Sequence, residues 1–380
     1  MTREASIAAK RCVIIADDLT GACDSALQFR RHGARARVHL ALDADARDLS
    51  DVDAFSTDTR NLPECEAATR IRQVGTHIMH LDSGAAVVFK KIDSLLRGTP
   101  GSEIMATMDV FACEVGVITP AFPEMGRTVS EGHLHVHGDD DWKPIDVLGT
   151  LRSQGLEECN HVAPGLIAKS LAQGCRYVSV DSASNEDLRI IADETIGCGR
   201  KVLWVGSAGL AGALAGLLFP GGVRAVGYPK GKRPILFCIG SQHAVTAGQL
   251  GNLRRDRTVC ELNASTANKN DIAAALARGE HTILRIEVGE TLMRQLRALL
   301  SGIGGLAEAI LISGGDTVSL ICDAVESRTI EIEDQVVAGL PWGILRGGLL
   351  DGLPVATKSG AFGGPDALTK VTDFFTCSRN

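Results

Sequence analysis

The chain has 380 residues, of which 45% are hydrophobic and 22% charged, and this composition excludes a disordered chain. Its 39 basic and 46 acidic residues give a net charge of −7, which argues against sequence-independent binding of nucleic acid, because that function needs a basic surface. At about 100–200 residues per domain, the length predicts two domains, or three.

Short β-branched segments alternate with helical periodicity over the first 220 residues. In chain order, the predicted strands are residues 11–16, 38–42, 54–57, 87–92, 115–119, 177–180 and 202–205. The predicted helices among them are residues 20–31, 63–80 and 101–113. Strands that alternate with helices of this length predict βαβ units, and hence a mostly parallel sheet with helices on its faces.

A segment rich in proline, glycine and charge, residues 220–234, interrupts this alternation and marks a domain boundary. The alternation resumes with strands 235–239, 259–262, 283–286 and 310–312 and with helices at 244–253, at 292–300 and from 318. Residues 339–364 are rich in glycine and contain only short apolar runs. We predict an α/β fold of two domains, residues 1–225 and 232–380, with mostly parallel or mixed sheets flanked by helices and an active site in the interdomain cleft.

The cysteines and the apolar segments bear on the cellular location. The eleven cysteines include no C-x-x-C pair, and an odd number in a long chain favours free thiols in a reducing cytosol. Residues 1–11 lack the apolar core of a signal peptide. Residues 202–219 are uncharged and long enough to cross a membrane, but their glycines favour a buried strand and a packed helix. We expect a cytoplasmic protein that has no membrane or nucleic-acid partner.

Two adjacent carboxylates, Asp17 and Asp18, directly follow the first predicted strand. In open α/β sheets, ligands bind at the carboxyl ends of the strands, so these residues lie where a site is expected. A carboxylate at this position can orient a hydroxyl or act as a general base. In the structural alternative, Asp18 or Thr20 caps the following helix, and we expect one of the two acids to be such a cap.

Three further polar clusters stand at predicted strand ends, at residues 57–60, 90–98 and 119–128. Lysine is rarely buried without a partner, so the Lys-Lys-x-Asp-Ser end of the second cluster is unusual. Arg60, Lys91 and Arg97 could converge on a carboxylate or a phosphate, which arginine binds in bidentate fashion. In the structural alternative, these cations pair with the acids Asp17, Asp18, Asp58 and Asp93. We favour a pocket for a small, polar, anionic molecule.

The predicted second domain contains three glycine-rich turns. Residues 310–317 form a strand, a glycine turn and a helix start, and Gly240 and Ser241 follow another strand in a similar way. Lys358, Gly360 and Gly363 belong to a third turn, which carries a cation. Exposed N–H groups at such turns bind phosphate, although glycines also serve tight packing. The chain has neither a Walker A motif nor a G-x-G-x-x-G motif, and the three turns together favour a nucleotide or phosphate site.

Three histidines alternate along a predicted edge strand, at His133, His135 and His137. Alternate residues of a strand share a face, so three imidazoles could line up as metal ligands. No cysteine or carboxylate at metal-ligand spacing accompanies them, and edge strands often carry polar residues. We favour the structural interpretation, and the metal ligands stay unknown.

Seven motifs occur in the order found in four-carbon acid sugar kinases, a family that the chain resembles from about residue 11 to residue 375. They are ADDLTGA, DTR, KKIDSLLRG, PAFPEMGRT, GSAGLA, SGGDT and KSGAFG. The resemblance implies an N-terminal domain that binds the sugar acid and a C-terminal domain that binds ATP. It also implies transfer of the γ-phosphoryl group of ATP to the terminal (C4) hydroxyl of a tetronic acid.

The resemblance assigns the substrate contacts to Asp17, Arg60, Lys91, Ile92, Asp93 and Ser94, and the ATP contacts to Ser241, Gly314, Gly315, Asp316, Thr317 and Gly360. The pattern of charges and glycines adds Arg97 to the first set, and Lys358 and Gly363 to the second. The candidates for the base that takes the proton of the acceptor hydroxyl are Asp17, Asp18 and Asp93. Leu95, Thr99 and Gln335 stand where the family usually has threonine, asparagine and glutamate, so the choice of acid and the metal ligands stay open.

We therefore predict a kinase that uses ATP and Mg²⁺, with D-threonate favoured over D-erythronate and 3-oxo-tetronate as the acceptor. Mg²⁺ is expected because it bridges the phosphates in phosphoryl transfer. Two other functions are compatible with the same residues. One is an enzyme of another class that acts on sugar-acid phosphates, and the other is a two-domain protein that binds a small acid without turnover. The chain could also form a homodimer.

Overall fold

The computed structural model describes residues 11–41, 49–81, 86–138, 141–222, 225–287 and 292–377. Residues 1–10, on which the expectation about a signal peptide depends, lie outside the described residues, as does residue 42 at the end of a predicted strand. The chain divides into two units. The first comprises residues 11–36 and 49–222, and the second comprises residues 37–41 and 225–377.

The first unit contains a long series of alternating strands and helices. In chain order they are β1 (Cys12–Ala16), α1 (Leu19–Arg31), β2 (Ala36–His39, which continues into the second unit), β3 (Val52–Ser56), α2 (Glu64–Leu81), β4 (Val87–Lys91), α3 (Pro100–Val110), β5 (Val115–Thr119), β6 (Arg127–Ser130), β7 (His133–Val136), β8 (Ile145–Asp146), α4 (Val147–Ser153), β9 (Cys159–Val162), α5 (Ile167–Ala172), β10 (Tyr177–Val180), α6 (Asn185–Ile196), β11 (Val202–Gly206) and α7 (Ala208–Leu218).

The main sheet of the first unit is parallel, in the order β3-β1-β4-β11-β5-β10-β9. Strand β1 pairs with β3 on one side and with β4 on the other, so the direction in which the chain adds strands reverses at β1. Ligands of open α/β sheets bind at such a reversal, outside the carboxyl ends of the strands. The polar residues that follow β1, β3 and β4, at positions 17–18, 57–60 and 92–98, are therefore neighbours.

Helix α1 is positioned by its cap and by burial. Asp18 is the N-cap residue, and its side chain accepts a hydrogen bond from the N–H of Gly21, as one of the two acids was expected to do. Residues 19–29 are all buried, because α1 packs against α7 on one side and against β1 and β3 on the other. A polar side chain within this helix therefore either has a partner in the interior or faces a cavity.

The second unit contains β12 (Ile235–Ile239), α8 (Ala244–Asp256), β13 (Val259–Asn263), α9 (Lys269–Ala277), β14 (His281–Arg285), α10 (Leu292–Leu300), β15 (Ala309–Ser313), α11 (Gly315–Ala324), β16 (Thr329–Val337), β17 (Leu340–Arg346), β18 (Pro354–Lys358) and α12 (Ala367–Phe375). Its sheet has the order β13-β14-β12-β15-β18-β17-β16. The first five strands are parallel, while β17 is antiparallel to both β16 and β18. Its core combines the buried strands with aromatic side chains of α12 and β17, of which Trp342 and Phe375 lie edge to face.

These elements confirm the predicted α/β class with mostly parallel or mixed sheets flanked by helices. The uncharged segment 202–219 forms strand β11 and helix α7. In the part of the chain that the structure describes, no helix is long and apolar enough to cross a membrane.

Candidate active site

The candidate site of the first unit is centred on the Arg60 guanidinium, which lies among three carboxylates. Its Nε and Nη2 donate to Asp17 at 2.7 and 2.9 Å, and its Nη1 and Nη2 donate to Asp18 at 2.6 and 2.7 Å. Asp93 Oδ2 lies 3.7 Å from Nη2. The backbone fixes this arrangement, because the N–H groups of Thr59 and Arg60 donate to the carbonyl of Asp17.

The charges shift the titration of this cluster. Burial alone raises the pKa of the Asp17 carboxyl, but the attraction of Arg60 and Lys91 outweighs it and holds that pKa below its ordinary value. Burial likewise opposes the charge of Arg60, yet the adjacent Asp17 and Asp18 raise its pKa. Arg60 therefore stays charged and the Asp17 carboxyl stays ionised at neutral pH.

The turn after β4 forms a second part of the cluster. Asp93 accepts hydrogen bonds from the Arg97 guanidinium at 2.9 and 2.6 Å and from the N–H of Leu95 at 3.0 Å. Burial raises the pKa of the Asp93 carboxyl, but the bond to Arg97 and the nearby Arg60 lower it overall. Ser94, next in the chain, accepts a hydrogen bond from Arg127, which follows the strand end of β5.

Lys91 is a buried cation close to the start of α1. It is 5% exposed and attracts Asp17, Asp24 and Asp93 without forming a salt bridge with any of them. Gly21 makes this approach possible, because a Cβ at that position would lie 2.8 Å from Lys91 Nζ and 2.5 Å from Asp18 Oδ1. The cation is thus held beside the helix start.

Lys90, the neighbour of Lys91, points to the opposite face of the strand and has a different partner. Its Nζ lies 2.7 Å from Glu103 Oε2 of helix α3, and both side chains are almost fully buried. It also donates to the Lys91 carbonyl at 3.1 Å. The two adjacent lysines therefore have separate environments, one structural and one beside the carboxylate cluster.

The structure brings together most of the residues singled out at the strand ends of the first unit. Asp17, Asp18, Arg60, Lys91, Asp93, Ser94 and Arg97 form one cluster, and the buried side chain of Ile92 lies within the same turn. Asp58 is the exception, because its carboxylate accepts a hydrogen bond from Ser56 at 2.8 Å and is exposed. Two buried residues that face the cluster, Asp24 and Arg127, were not among the predicted site residues.

The three glycine-rich turns of the second unit meet at one place. The N–H groups of Gly240 and Ser241 donate to the Ser313 carbonyl, and the N–H of Gly314 donates to the Lys358 carbonyl. A Cβ at Gly360 would lie 2.4 Å from Ser241 Oγ, which shows how closely two of the turns approach. The turns lie at the carboxyl ends of β12, β15 and β18, where open α/β sheets bind ligands.

Helix α8 supplies the side chains that hold these turns. Lys358 Nζ donates to Thr246 Oγ1 at 2.9 Å and to the carbonyls of Ser359 and Gly360 at 3.0 Å each. Burial lowers the pKa of Lys358 to about 8. Gln249 donates to the carbonyls of Gly363 and Gly364 at 2.9 Å. Thr246 and Gln249 were not predicted as site residues. The sequence does contain a signal for them, because polar residues three positions apart lie on the same face of a helix.

The turn at the start of α11 has the conformation of an anion-binding turn. Gly314 has a φ of +113°, in the region that favours glycine, and it is the N-cap of a helix that starts at Gly315. Asp316 lies in the first helical turn, and the buried side chain of Thr317 packs against Gly240 and Gly314. The helix start thus carries backbone N–H groups and a partial positive charge.

Two of the three alternating histidines, His133 in β7 and His137 just after it, have structural partners. His133 Nδ1 lies 2.9 Å from the Glu131 carbonyl, and His137 Nε2 lies 2.9 Å from Thr128 Oγ1. Within the described ranges, no group of three or more histidine, cysteine, aspartate or glutamate side chains is arranged to hold a metal ion.

Two family models match the chain. One is described as a sugar-binding N-terminal domain and matches residues 12–147 and 148–214, and the other is described as a nucleotide-binding C-terminal domain and matches residues 264–368. A D-threonate kinase of Bordetella bronchiseptica is 30% identical, over 94% of this chain and 96% of its own. A D-erythronate kinase of Heliobacterium modesticaldum is 27% identical over 95% and 96%, and a 3-oxo-tetronate kinase of Cupriavidus necator is 27% identical over 93% and 94%.

Two solved structures share the fold. A Haemophilus influenzae protein of the DUF1537 family model superposes with a TM-score of 0.72 at 21% identity, over 96% of this chain and all of its own. A Salmonella typhimurium protein described as a putative tRNA synthase superposes with a TM-score of 0.77 at 20% identity, over 96% and 99%. The fold, the family models and the relatives define an ATP-dependent kinase of carbohydrate acids. The chain belongs to the four-carbon acid sugar kinase family, which confirms the kinase interpretation of its motifs.

Proposed function

We propose that this kinase phosphorylates the terminal (C4) hydroxyl of D-threonate, with D-erythronate and 3-oxo-tetronate as the nearest alternatives. The observation that carries the proposal is the cluster of cations and buried carboxylates at the ends of β1, β3 and β4, which is suited to a small acid that also has several hydroxyls. The preference for D-threonate is supported by three relatives of that name at 28–30% identity, compared with 25–27% for relatives with the other two names.

We infer that residues 1–225 bind the sugar acid. The cations Arg60, Lys91 and Arg97 attract its carboxylate, and the fixed carboxylates of Asp17 and Asp93 accept hydrogen bonds from its hydroxyls. Ile92 and Ser94 complete the contact surface of the turn after β4. In this assignment the network around Arg60 is both structural and functional, because the same ion pairs that hold the turns also fix the charges that face the acid.

We infer that residues 232–380 bind ATP. The proposed contacts are at Ser241, Gly314, Gly315, Asp316, Thr317, Lys358, Gly360 and Gly363. The glycines permit close approach of the phosphates, and the start of α11 offers N–H groups to them. The Lys358 ammonium is bonded to its own turn, so it holds the turn and contributes a positive charge.

Mg²⁺ is proposed as the ion that accompanies ATP. Mg²⁺ in kinases is usually bound by substrate phosphates, water and one or two carboxylates rather than by an all-protein cage. The described residues include no preassembled cluster of metal ligands. Its role when bound is to neutralise charge on the phosphates.

Replacement of Gly360 by alanine tests the assignment of the nucleotide site. The new Cβ would lie 2.4 Å from Ser241 Oγ and 3.1 Å from His243 Cβ, so either the Ser241 side chain must leave its present position or the turns must separate. We expect the KM for ATP to rise about tenfold, which corresponds to about 1.4 kcal/mol of lost binding. The KM for the sugar acid is expected to stay within about twofold, because the proposed acid site lies in the other unit.

Gly248→Ala is the matched control for this variant. Gly248 lies in the exposed part of α8, and nothing lies within 4 Å of an added Cβ. Because alanine favours a helix over glycine by about 1 kcal/mol, the control should keep its kinetics and gain stability. An unchanged KM for ATP in Gly360→Ala, with a raised KM for the acid, would reverse the assignment of the two units.

The choice of acid is tested by release of ADP from ATP with purified D-threonate, D-erythronate and 3-oxo-tetronate. We expect the highest kcat/KM with D-threonate. A higher value with either of the other acids would change the assigned substrate, and no ADP with any of them would refute the substrate class. The homodimer stays a prediction, which light scattering of the purified protein tests.

A further inference from the structure

Helix α1 contains a buried carboxylate, Asp24, that the network around Arg60 does not include. Asp24 is 7% exposed, and in the described part of the chain its Oδ1 accepts no hydrogen bond. Buried carboxylate oxygens are normally paired, so an unpaired one requires an explanation, and a catalytic role is one. The charged groups that face it from the surrounding elements are Lys91, Arg127, Asp18 and Glu124.

The three carboxylates expected to act as the base already accept hydrogen bonds from arginine side chains. Asp17 and Asp18 each accept two hydrogen bonds from Arg60, and Asp93 accepts two from the side chain of Arg97. A carboxylate stabilised by guanidinium groups is a weak proton acceptor, because protonation must break these bonds. Among the described residues, no arginine donates such a bond to Asp24.

The surroundings of Asp24 shift the pKa of its carboxyl in the opposite direction from that of Asp17. Burial raises the pKa of its carboxyl to about 6, while Lys91 and Arg127 act in the opposite direction. The opposite net shifts of Asp17 and Asp24 follow from geometry, since Arg60 contacts the first and not the second. A general base is most effective when its pKa lies near the working pH, and Asp24 meets this condition while remaining ionised at neutral pH.

We propose that Asp24 is the catalytic base of the phosphoryl transfer, in place of Asp17, Asp18 or Asp93. The inference rests on the proposed function and deepens it. The oxygen of the acceptor hydroxyl forms a bond to the γ-phosphorus of ATP, and the bond from that phosphorus to the β,γ-bridging oxygen breaks. ADP leaves with the electron pair, and the hydroxyl proton passes to the Asp24 carboxylate and then to solvent. Lys91 and Arg127 keep the carboxylate charged beforehand.

The test is the Asp24→Asn variant, assayed with ATP and each of the three acids. We expect kcat to fall by about 10²–10⁴ while both KM values stay within about threefold. In the wild type, kcat/KM should decline below pH about 6 as Asp24 becomes protonated, and the variant should lack this acidic limb.

A melting curve separates loss of the base from loss of the fold. A carboxyl whose pKa is raised on folding favours the folded state at low pH, and that contribution is lost as the pH rises from about 4 to about 6. Above that range the charged Asp24 destabilises the fold, so Asp24→Asn should melt a few degrees higher at pH 8. A variant that melts lower would instead attribute the fall in kcat to loss of the fold, and would overturn the assignment.

Asp17→Asn is the comparison variant, because it disrupts the Arg60 contacts and keeps Asp24. We expect it to raise the KM for the acid more than it lowers kcat, and to retain the acidic limb. Wild-type kcat in Asp24→Asn, or loss of the acidic limb in Asp17→Asn alone, would overturn the assignment while the proposed function stands. A wild type that is inactive with all three acids would overturn the proposed substrate and this assignment with it.

Discussion

Replacement of Arg60 by alanine is expected to raise the KM for the sugar acid tenfold to hundredfold and to leave the KM for ATP within about twofold. Charge-assisted hydrogen bonds contribute about 1.5–3 kcal/mol, which corresponds to this range. The variant also leaves the buried Asp17 and Asp18 without the cation that they share, and their charge would then repel an anionic substrate. Initial-rate kinetics with each substrate varied in turn measure both KM values.

Arg189→Ala is the matched control for Arg60→Ala. Arg189 forms salt bridges of 2.6 and 2.7 Å with Glu186 and Asp193, but these lie on the exposed side of α6. Exposed pairs contribute little, so both KM values and the melting temperature should be unchanged. If Arg60→Ala has a normal KM for the acid, Arg60 serves only as a structural partner of the two aspartates.

Replacement of Lys90 by methionine is expected to destabilise the first unit strongly. The ion pair with Glu103 is almost fully buried, and removal of one partner of such a pair costs about 3–5 kcal/mol because the other charge is left without compensation. At about 2–4 °C for each kcal/mol, the melting temperature should fall by about 10 °C. Thermal unfolding monitored by circular dichroism measures this shift.

A double variant separates the cost of an unpaired charge from the loss of packing. In Lys90→Met with Glu103→Gln no charge remains, so most of the lost stability should return. Lys169→Met, at an exposed position of α5, should change the free energy of unfolding by less than about 0.5 kcal/mol. Equal destabilisation in the single and double Lys90 variants would show that packing, and not charge, is responsible.

The strand ends were predictable because their sequence signals are local. Continuous apolar runs such as residues 115–119 and 235–239 match the observed strands β5 and β12, and the charged residues that follow β1, β3 and β4 are visible as interruptions of apolar runs. The parallel order of these strands then brings Asp17, Arg60 and Asp93 together. The partners themselves follow from the rule that buried charges are paired.

Residues whose roles depend on tertiary contacts were not predictable in this way. In the sequence, Glu103 has the position of an ordinary acidic residue in the first turn of a helix. Its pairing with Lys90 depends on the packing of α3 against the sheet, which the sequence does not show. Helix α1 is buried around its whole circumference from Leu19 to Phe29. The helical periodicity of the sequence therefore does not show which of its polar residues, such as Asp24, face the site. The antiparallel strands β16 and β17 were missed because charged residues interrupt the apolar residues of β16, and because β17 contains Pro341 and Gly343, which are typical of turns.

The most direct measurement is the phosphorus-31 NMR spectrum of the product formed from ATP and D-threonate. Transfer to the C4 hydroxyl predicts ADP and one new phosphomonoester, whose resonance is a triplet because the ester oxygen is attached to a CH₂ group. A doublet would place the phosphate on a secondary hydroxyl and contradict the proposed position. Inorganic phosphate without a phosphomonoester would show hydrolysis of ATP, and it would contradict transfer to the sugar acid altogether.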